Sequence, residues 1–324
     1  MRVFINGFGR IGRSVLRAWA EAPDRWPGLE IAGINEIADA EMCAYLFEYD
    51  SVFGPWRGKV SLTPGALVVN GRAVPLHRTA DISALDLRGI DVVLECTGRA
   101  DAREVAVRGI EAGAGRVLIS GPSTPADVSV VLGANEAVLA GQQIVSNASC
   151  TTNALAPLVR LIGQEWGIVT GSMTTIHCYT GSQPTVDAPA ADFARSRAAA
   201  LSMVPTTTSA QRLLDVVLPE FAGRIAGSAV RVPVASVSCI DLAVMTERGV
   251  TVETVNAVFR GAGGVIGTTD RALVSTDMRS RPESIVMACP ETRVTPQGLL
   301  RVFGWYDNEW GFSNRMLDVA RLMG

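Results

Sequence analysis

Two short stretches carry residue types that can do covalent chemistry. In "SNASCTTN" (146–153) Cys150 stands among small polar residues, and in "TIHCYT" (175–180) His177 closes a β-rich run. The segment before the cysteine, "QQIVSN" (142–147), reads as a strand. The segment after it, "TTNALAPLVRLIGQEW" (151–166), sets Leu155, Leu158, Leu161 and Ile162 at helical spacing. Cys150 therefore falls in the first turn of a helix, where free N–H groups and the helix dipole are expected to favour thiolate and lower the thiol pKa. A nucleophilic thiolate needs a base, and the chain has two histidines, His77 and His177. His77 falls in a region that reads as a hairpin, whereas His177 opens the loop region of the second half and is the preferred partner. The other five cysteines (Cys43, Cys96, Cys178, Cys239, Cys289) sit in apolar runs without C-x-x-C spacing, as packing cysteines do. With two histidines and no ligand cluster, no metal is expected.

The second half also holds anion binders. "FARSRAAALSMVPTTTSA" (193–210) presents Arg195 and Arg197, then three threonines and Ser209 opening a helical pattern, and Arg231 lies in the strand-like "AVRVP" (229–233). Guanidinium forks beside a hydroxyl-rich helix start suit a phosphate. They favour a phosphorylated substrate over a set of solvated surface charges.

These groups need a frame. "RVFIN" (2–6) is an apolar strand-like run followed at once by "GFGRIGRSVLRAWAEA" (7–22), in which Gly7, Gly9 and Gly12 fit G-x-G-x-x-G and Val15, Leu16 and Trp19 recur at helical spacing. In that setting the first glycine makes the turn, the second admits a pyrophosphate and the third lets helix pack on strand. The next run, "LEIAGIN" (29–35), ends in Glu36, placed to hold ribose hydroxyls and to repel a 2′-phosphate, so NAD is expected over NADP. Further strands are read at "DVVLECTG" (91–98), "RVLIS" (116–120) and "QQIVSN", with the helical pattern "ADAREVAVRGIEAGA" (100–114) between the first two. Region 58–78, with "VNGR" (69–72), reads as an antiparallel insertion. The alternation predicts an α/β fold with a doubly wound parallel sheet. Thr97 and Ser120 sit at strand carboxyl ends and either line the nucleotide cleft or satisfy their own turns.

A nucleotide site, an activated thiol and phosphate binders together suit oxidation of an aldehyde. Thiolate adds to the carbonyl, the Cys150 N–H and His177 hold the oxyanion, and His177 takes the hydroxyl proton as hydride leaves. Composition excludes other classes. Apolar residues make up 48%, charged residues 19%, and the formal charge is −3 with scattered basic residues, so no nucleic-acid surface is expected. The start "MRVFINGFGRIGR" lacks an apolar leader core, and no apolar run approaches ~18 residues; neither export nor membrane insertion is expected, and the dispersed cysteines suit a reducing, cytoplasmic setting.

The stretches "INGFGRIGR", "SNASCTTN", "TIHCYT", "SRAAA…VPTTT", "AVRVP" and "WYDNEWGFSNRMLD" together resemble the phosphorylating glyceraldehyde-3-phosphate dehydrogenase family over essentially the whole chain. The resemblance implies a Rossmann-type NAD-binding domain over 1–149, an α+β catalytic domain with a mostly antiparallel sheet over 150–310, and a C-terminal helix (311–324) returning to the first. It implies Cys150 as nucleophile and His177 as base. Arg10 and Ile11 match positions at the NAD pyrophosphate, Arg78 and Ser120 match further cofactor contacts, and Asn308 matches the residue that bonds the nicotinamide amide. Ser149, Thr151, Thr208 and Ser209 resemble the site for attacking inorganic phosphate, and Thr180, Arg195 and Arg231 the site for the substrate's own phosphate. A glycolytic homotetramer is implied, with loop 180–204 reaching a neighbour's cofactor. The chain departs from the family at Glu36 (usually aspartate), Ala154 (often cysteine), Ser182 (often an acid), Ser209 (glycine) and Phe312 (tyrosine), while Pro189 keeps a feature of NAD use, although Ala188 beside it is less typical. Glu36 and "EWGFSNRMLD" also resemble erythrose-4-phosphate dehydrogenase, which hydrolyses its thioester; a non-catalytic NAD-binding homologue is the third reading.

Overall fold

The computed structural model describes residues 1–100, 102–190 and 192–324. Asp101, in the helical pattern at 100–114, and Ala191, in loop 180–204, lie outside the described residues. The chain forms two compact units. One comprises Met1–Leu132, Glu136–Ala148 and Phe312–Gly324; the other comprises Gly133–Asn135 and Ser149–Gly311.

The first unit is built on a sheet of β1 (Arg2–Asn6), β2 (Glu30–Asn35), β3 (Val60–Thr63), β4 (Ala66–Val69), β5 (Arg72–His77), β6 (Val92–Glu95), β7 (Arg116–Ile119), β8 (Val128–Ser129) and β9 (Ile144–Ser146), in the order β3-β4-β5-β2-β1-β6-β7-β9-β8. β1 pairs in parallel with both β2 and β6, so the strand order reverses across it. That reversal is the topological switch point at which doubly wound sheets take nucleotides. The insertion is a meander: β3, β4 and β5 pair antiparallel, and β5 joins the main sheet alongside β2. Asn70 and Gly71 turn β4 into β5 at φ 51 and 80, the left-handed pair that an Asn-Gly hairpin supplies. Helix α1 (Arg10–Glu21) follows β1 and α2 (Ala40–Glu48) follows β2. The single helix expected at 100–114 is instead two one-turn helices, α3 (Arg103–Ala106) and α4 (Arg108–Glu111). Gly109 lies between Val117 and Val93, where a Cβ would meet methyl carbons at 2.9 and 3.1 Å, so the close approach to the sheet is gained at the expense of helix propensity.

The second unit begins its regular structure with α5 (Cys150–Trp166) and builds a sheet from β10 (Thr170–Cys178), β11 (Val204–Thr206), β12 (Ile225–Val232), β13 (Ser238–Met245), β14 (Ile266–Thr269), β15 (Ile285–Ala288), β16 (Arg293–Val294) and β17 (Leu299–Tyr306). Its order is β11-β12-β10-β13-β17-β15-β14, with β16 on β17. Only β10–β12 and β14–β15 are parallel among the described pairs, so the sheet is mostly antiparallel. Helix α6 (Ala210–Val217) packs on α5, and α7 (Val252–Ala262) packs on β14. Leu155, Leu158, Val159 and Ile162 of α5 are fully buried at helical spacing. Each contributes on the order of 1.5–3 kcal/mol. Helix α8 (Trp310–Met323) runs into the first unit, where Asp318 accepts from the Trp26 indole at 2.6 Å and Asn314 from Arg25 at 2.8 Å.

At Gly12 a Cβ would lie 2.1 Å from the Gly7 carbonyl oxygen and 3.1 Å from Ile5 Cγ2. Backbone on one side and core on the other leave it no escape. Gly12→Ala is expected to cost about 2–3 kcal/mol, lowering the urea midpoint of the first unit and weakening NAD binding; an unchanged midpoint would contradict the packing described.

Candidate active site

Cys150 is the first residue of α5, and its place is fixed by the cap before it. Ser149 has extended backbone (φ −103, ψ 161), and its hydroxyl accepts from the Thr152 N–H at 3.0 Å. Ala148, one residue earlier, turns the chain out of β9 at φ 53 while its N–H donates to Ser146 Oγ at 3.1 Å. Cys150 Sγ thereby comes within 3.5 Å of His177 Nε2. His177 Nδ1 lies 2.7 Å from the carbonyl oxygen of Cys178. A carbonyl only accepts, so Nδ1 carries the proton, and the lone pair of the neutral imidazole at Nε2 faces the thiol.

The expected lowering of the thiol pKa does not hold for this state. Burial pushes the Cys150 thiol up, to about 11, with the Thr151 hydroxyl and the N–H groups of Thr151 and Cys150 pulling it down by less. Desolvation of the thiolate outweighs the helix start. Losing the proton to water is therefore costly, whereas passing it 3.5 Å to His177 leaves an ion pair of zero net charge. Transfer to His177 is thus the less costly route to a thiolate at this position. The thiols of Cys43, Cys96 and Cys239 are likewise pushed up by burial, to about 11, 12 and 12, with no imidazole hydrogen bond recorded for them among the described residues.

Around the pair, hydroxyl groups form a chain. Tyr306 at the end of β17 bonds Thr151 Oγ1 at 2.9 Å and Thr175 Oγ1 at 2.8 Å, and Thr175 also donates to the Cys239 carbonyl at 3.1 Å. The Tyr306 ring stands edge-on to His177, with centroids 6.0 Å apart. Thr151 is buried and committed to this chain, and Ser149 is committed to its cap. Thr208 Oγ1 accepts from Ala210 N at 3.1 Å, and Ser209 occupies the N-cap position of α6 without a side-chain cap bond.

The parallel register of β10 and β12 sets Arg231 directly beside His177, and β11 sets Val204 on its other side. Arg231 Nη1 donates to Ser182 Oγ at 3.2 Å, and Thr180 Oγ1 lies 3.0 Å from the same oxygen. Burial first, and then the charge of Arg195, pull the Arg231 pKa down, placing the two guanidinium groups in one positive region. Arg195 is held by Thr206 Oγ1 at 2.5 Å and by Thr207 through Oγ1 at 2.9 Å and the carbonyl at 3.2 Å. Arg197 pairs with Asp187 at 2.7 Å instead.

In the first unit a cavity is lined by Gly7, Gly9, Glu36 and Thr97, with Asn6 and Arg99. Gly7 has φ 93, and a Cβ there would meet Thr97 N at 2.7 Å; Gly9 faces open space. This glycine cradle at the start of α1 fits a dinucleotide. The Glu36 carboxylate accepts from Phe8 N and Ile37 N, both at 2.8 Å, which fixes it at the carboxyl end of β2. Thr97 is bonded through N and Oγ1 to the buried carboxylate of Glu95. Arg10 forms an ion pair with Asp50 and lies over the Phe53 ring, rather than lining the cavity. Arg78 pairs with Asp39 at 2.5 Å and donates to the Ile37 carbonyl, and Ser120 bonds the Cys96 thiol. Ile11 is half-buried on α1, and Asn308 is buried beside Cys178, which donates to its Oδ1 at 3.1 Å. Sequence reasoning missed Tyr306, Thr175, Thr206 and Thr207, and took Cys178 for packing; only the hydroxyl-rich "VPTTT" pointed toward any of these.

A thiol that can pass its proton to a fixed imidazole can hold an acyl group, and a chain that also binds a dinucleotide can take up the two electrons released. That combination defines a nucleotide-dependent aldehyde dehydrogenase of the covalent-thiol class. Residues 1–103 match the model for the NAD binding domain of glyceraldehyde 3-phosphate dehydrogenase, and residues 149–308 match the model for its C-terminal domain. The chain is 45% identical to the glyceraldehyde-3-phosphate dehydrogenase of Pseudomonas aeruginosa, covering 99% of this chain and 97% of the relative. It is 44% identical to that of Xanthobacter flavus (100% and 98% covered) and 41% identical to that of Geobacillus stearothermophilus (99% and 97% covered). The chain belongs to the glyceraldehyde-3-phosphate dehydrogenase family. Among the described residues no helix is long and apolar enough to cross a membrane.

A raised thiol pKa means less thiolate at any fixed pH below it, unless the proton has another place to go. Iodoacetamide is therefore expected to label Cys150 readily near pH 7 in the intact chain. In His177→Asn the labelling rate should fall on the order of a hundredfold or more at pH 7 and recover only as pH climbs toward 11. A pH–rate profile of that variant matching the parent's would remove His177 as the proton acceptor.

Proposed function

We propose that the chain oxidises glyceraldehyde 3-phosphate to 1,3-bisphosphoglycerate, with NAD as its cofactor and inorganic phosphate as co-substrate. The observation that carries this reading is the Cys150–His177 contact at 3.5 Å, with Arg231 set beside His177 by strand register. Curated relatives matched over nearly their whole length bear the name of this activity.

The steps follow from the residues. His177 Nε2 takes the Cys150 proton, and Sγ attacks the aldehyde carbon. The carbonyl oxygen, now negative, lies at a helix start where the Cys150 N–H can donate, and it receives the proton back from His177. Nε2 is then free to accept the hydroxyl proton of the hemithioacetal as its C–H bond breaks. The glycine cradle and Glu36 would hold NAD, which when bound would supply the acceptor for that hydride. The thioester left on Cys150 is attacked by inorganic phosphate, the C–S bond breaks, and sulfur leaves as the thiolate that His177 re-protonates. Thr180, Arg195 and Arg231 take the substrate's own phosphate, while Ser149, Thr151, Thr208 and Ser209 line the approach of the attacking one. Arg10, Ile11, Arg78, Thr97, Ser120 and Asn308 complete the cofactor's surroundings. On this reading the segment 1–149 with the C-terminal helix serves the cofactor and 150–310 the substrate. The working form is a cytoplasmic homotetramer in which loop 180–204 meets a neighbour's cofactor.

Ser182 sharpens the substrate side. A hydroxyl at 3.2 Å leaves the full charge of Arg231 for a phosphate dianion, where a carboxylate would neutralise part of it. Without inorganic phosphate, NADH formation should stop after one equivalent per site; sustained turnover at an undiminished rate would instead favour hydrolysis of the thioester. Ser182→Asp should raise the KM for the aldehyde about tenfold with little change in Cys150 labelling.

A further inference from the structure

Cys178 follows the base directly in sequence and is 1% exposed at the end of β10. Three contacts hold it. Its N–H donates to Ser238 Oγ at 3.1 Å, its carbonyl accepts the Nδ1 proton of His177 at 2.7 Å, and its thiol donates to Asn308 Oδ1 at 3.1 Å. His177 Nδ1 is also 3.8 Å from the Cys178 sulfur, but that nitrogen already bears a proton committed to the carbonyl and has no lone pair to offer. The single thiol proton therefore goes to Asn308.

We infer that Cys178 is a positioning residue that fixes the orientation of the Asn308 amide. With Oδ1 engaged by the thiol, Asn308 turns its Nδ2 hydrogens to whatever it meets and acts there as a donor. A donor selects a carbonyl oxygen. On the reading of Asn308 as the partner of the nicotinamide carboxamide, on which this inference rests, the amide bonds the carboxamide oxygen rather than its NH2 group. One residue then serves both halves of the chemistry: its backbone carbonyl sets the tautomer of the base, and its side chain sets the hand that holds the nicotinamide. The tautomer depends on backbone alone, so removing the thiol leaves the Cys150–His177 pair as it was.

Calorimetric titration with NAD and with ADP-ribose, which lacks the nicotinamide, separates these roles. Cys178→Ala should weaken NAD about three- to tenfold, the range of one lost hydrogen bond, and leave ADP-ribose binding unchanged. Cys178→Ser, which keeps a donor, should restore NAD binding, and iodoacetamide labelling of Cys150 at pH 7 should be the same in all three proteins. In the unmodified chain, the NAD analogue bearing an acetyl group in place of the carboxamide keeps the carbonyl and should bind within about twofold of NAD; this arm needs no variant to fold. Parent-like NAD affinity in Cys178→Ala, a serine variant as weak as the alanine one, or a large loss with the acetyl analogue would each overturn the inference. If Asn308→Ala also binds NAD normally, the assignment of Asn308 to the nicotinamide falls instead.

Discussion

Where the proton of Cys150 can go governs the rest of this site. Burial makes the thiol a poor acid toward water, at about 11, and among the described residues the proton acceptor within reach of it is the Nε2 lone pair 3.5 Å away. That lone pair exists because Nδ1 is protonated, and Nδ1 is protonated because it faces the Cys178 carbonyl at 2.7 Å. A backbone oxygen thus selects the tautomer of a side chain, and with it whether a lone pair faces the sulfur. Burial serves the same end. In a site open to water the charged pair would be screened, and its attraction on an incoming carbonyl weakened.

Holding the two partners in place requires backbone that is not at rest. Ala148 at φ 53 precedes the cap of α5, and Val237 at φ 68 precedes Ser238, whose hydroxyl receives the Cys178 N–H. For a β-branched residue such a φ is a true outlier, and each such residue costs on the order of 1–3 kcal/mol. Both turns deliver the residue that follows them: Ala148 brings Ser149 and Cys150 to the helix start, and Val237 brings Ser238 beneath Cys178. The surroundings that over-determine these conformations are the Ser149 cap, the Ser146–Ala148 bond and the antiparallel ladder of β10 with β13.

The sequence made the positions legible more readily than the energies. Gly7 and Gly12 announced a turn between strand and helix because a side chain there would strike backbone, Gly9 leaves open space at the helix start, and the Asn70–Gly71 turn was legible from the positive φ that Asn and Gly tolerate. The cysteine at a helix start was readable from period and cap. The sign of its pKa was not, because burial depends on groups distant in the chain, such as Tyr306, 155 residues beyond the Thr151 it bonds. The hydroxyl chain and the Cys178–Asn308 bond stayed hidden for that reason too: β10 and β17 are not adjacent in sequence, and β13 between them brings Thr175 and Tyr306 together. The broken helix at 103–111 was lost to a local conflict, since the glycine that lets it approach the sheet also weakens it.

The arginines show how partner chemistry sorts charges that look alike in sequence. Arg10, Arg78 and Arg197 all face carboxylates, from Asp50, Asp39 and Asp187. Those carboxylates offset part of each charge within the protein. Arg195 and Arg231 are held by hydroxyl groups and a carbonyl, and among the described residues neither forms an ion pair. Neutral partners fix a guanidinium in space without cancelling it. Burial first, and then the charge of Arg195, disfavour the charged form of Arg231, so on the proposed function a phosphate placed between the two guanidinium groups would offset that repulsion. On the proposed function, the strand register that ties Arg231 to His177 would also fix the distance between the substrate's phosphate and the carbon that Cys150 attacks. The substrate would then be selected by the length of its chain as well as by its charge.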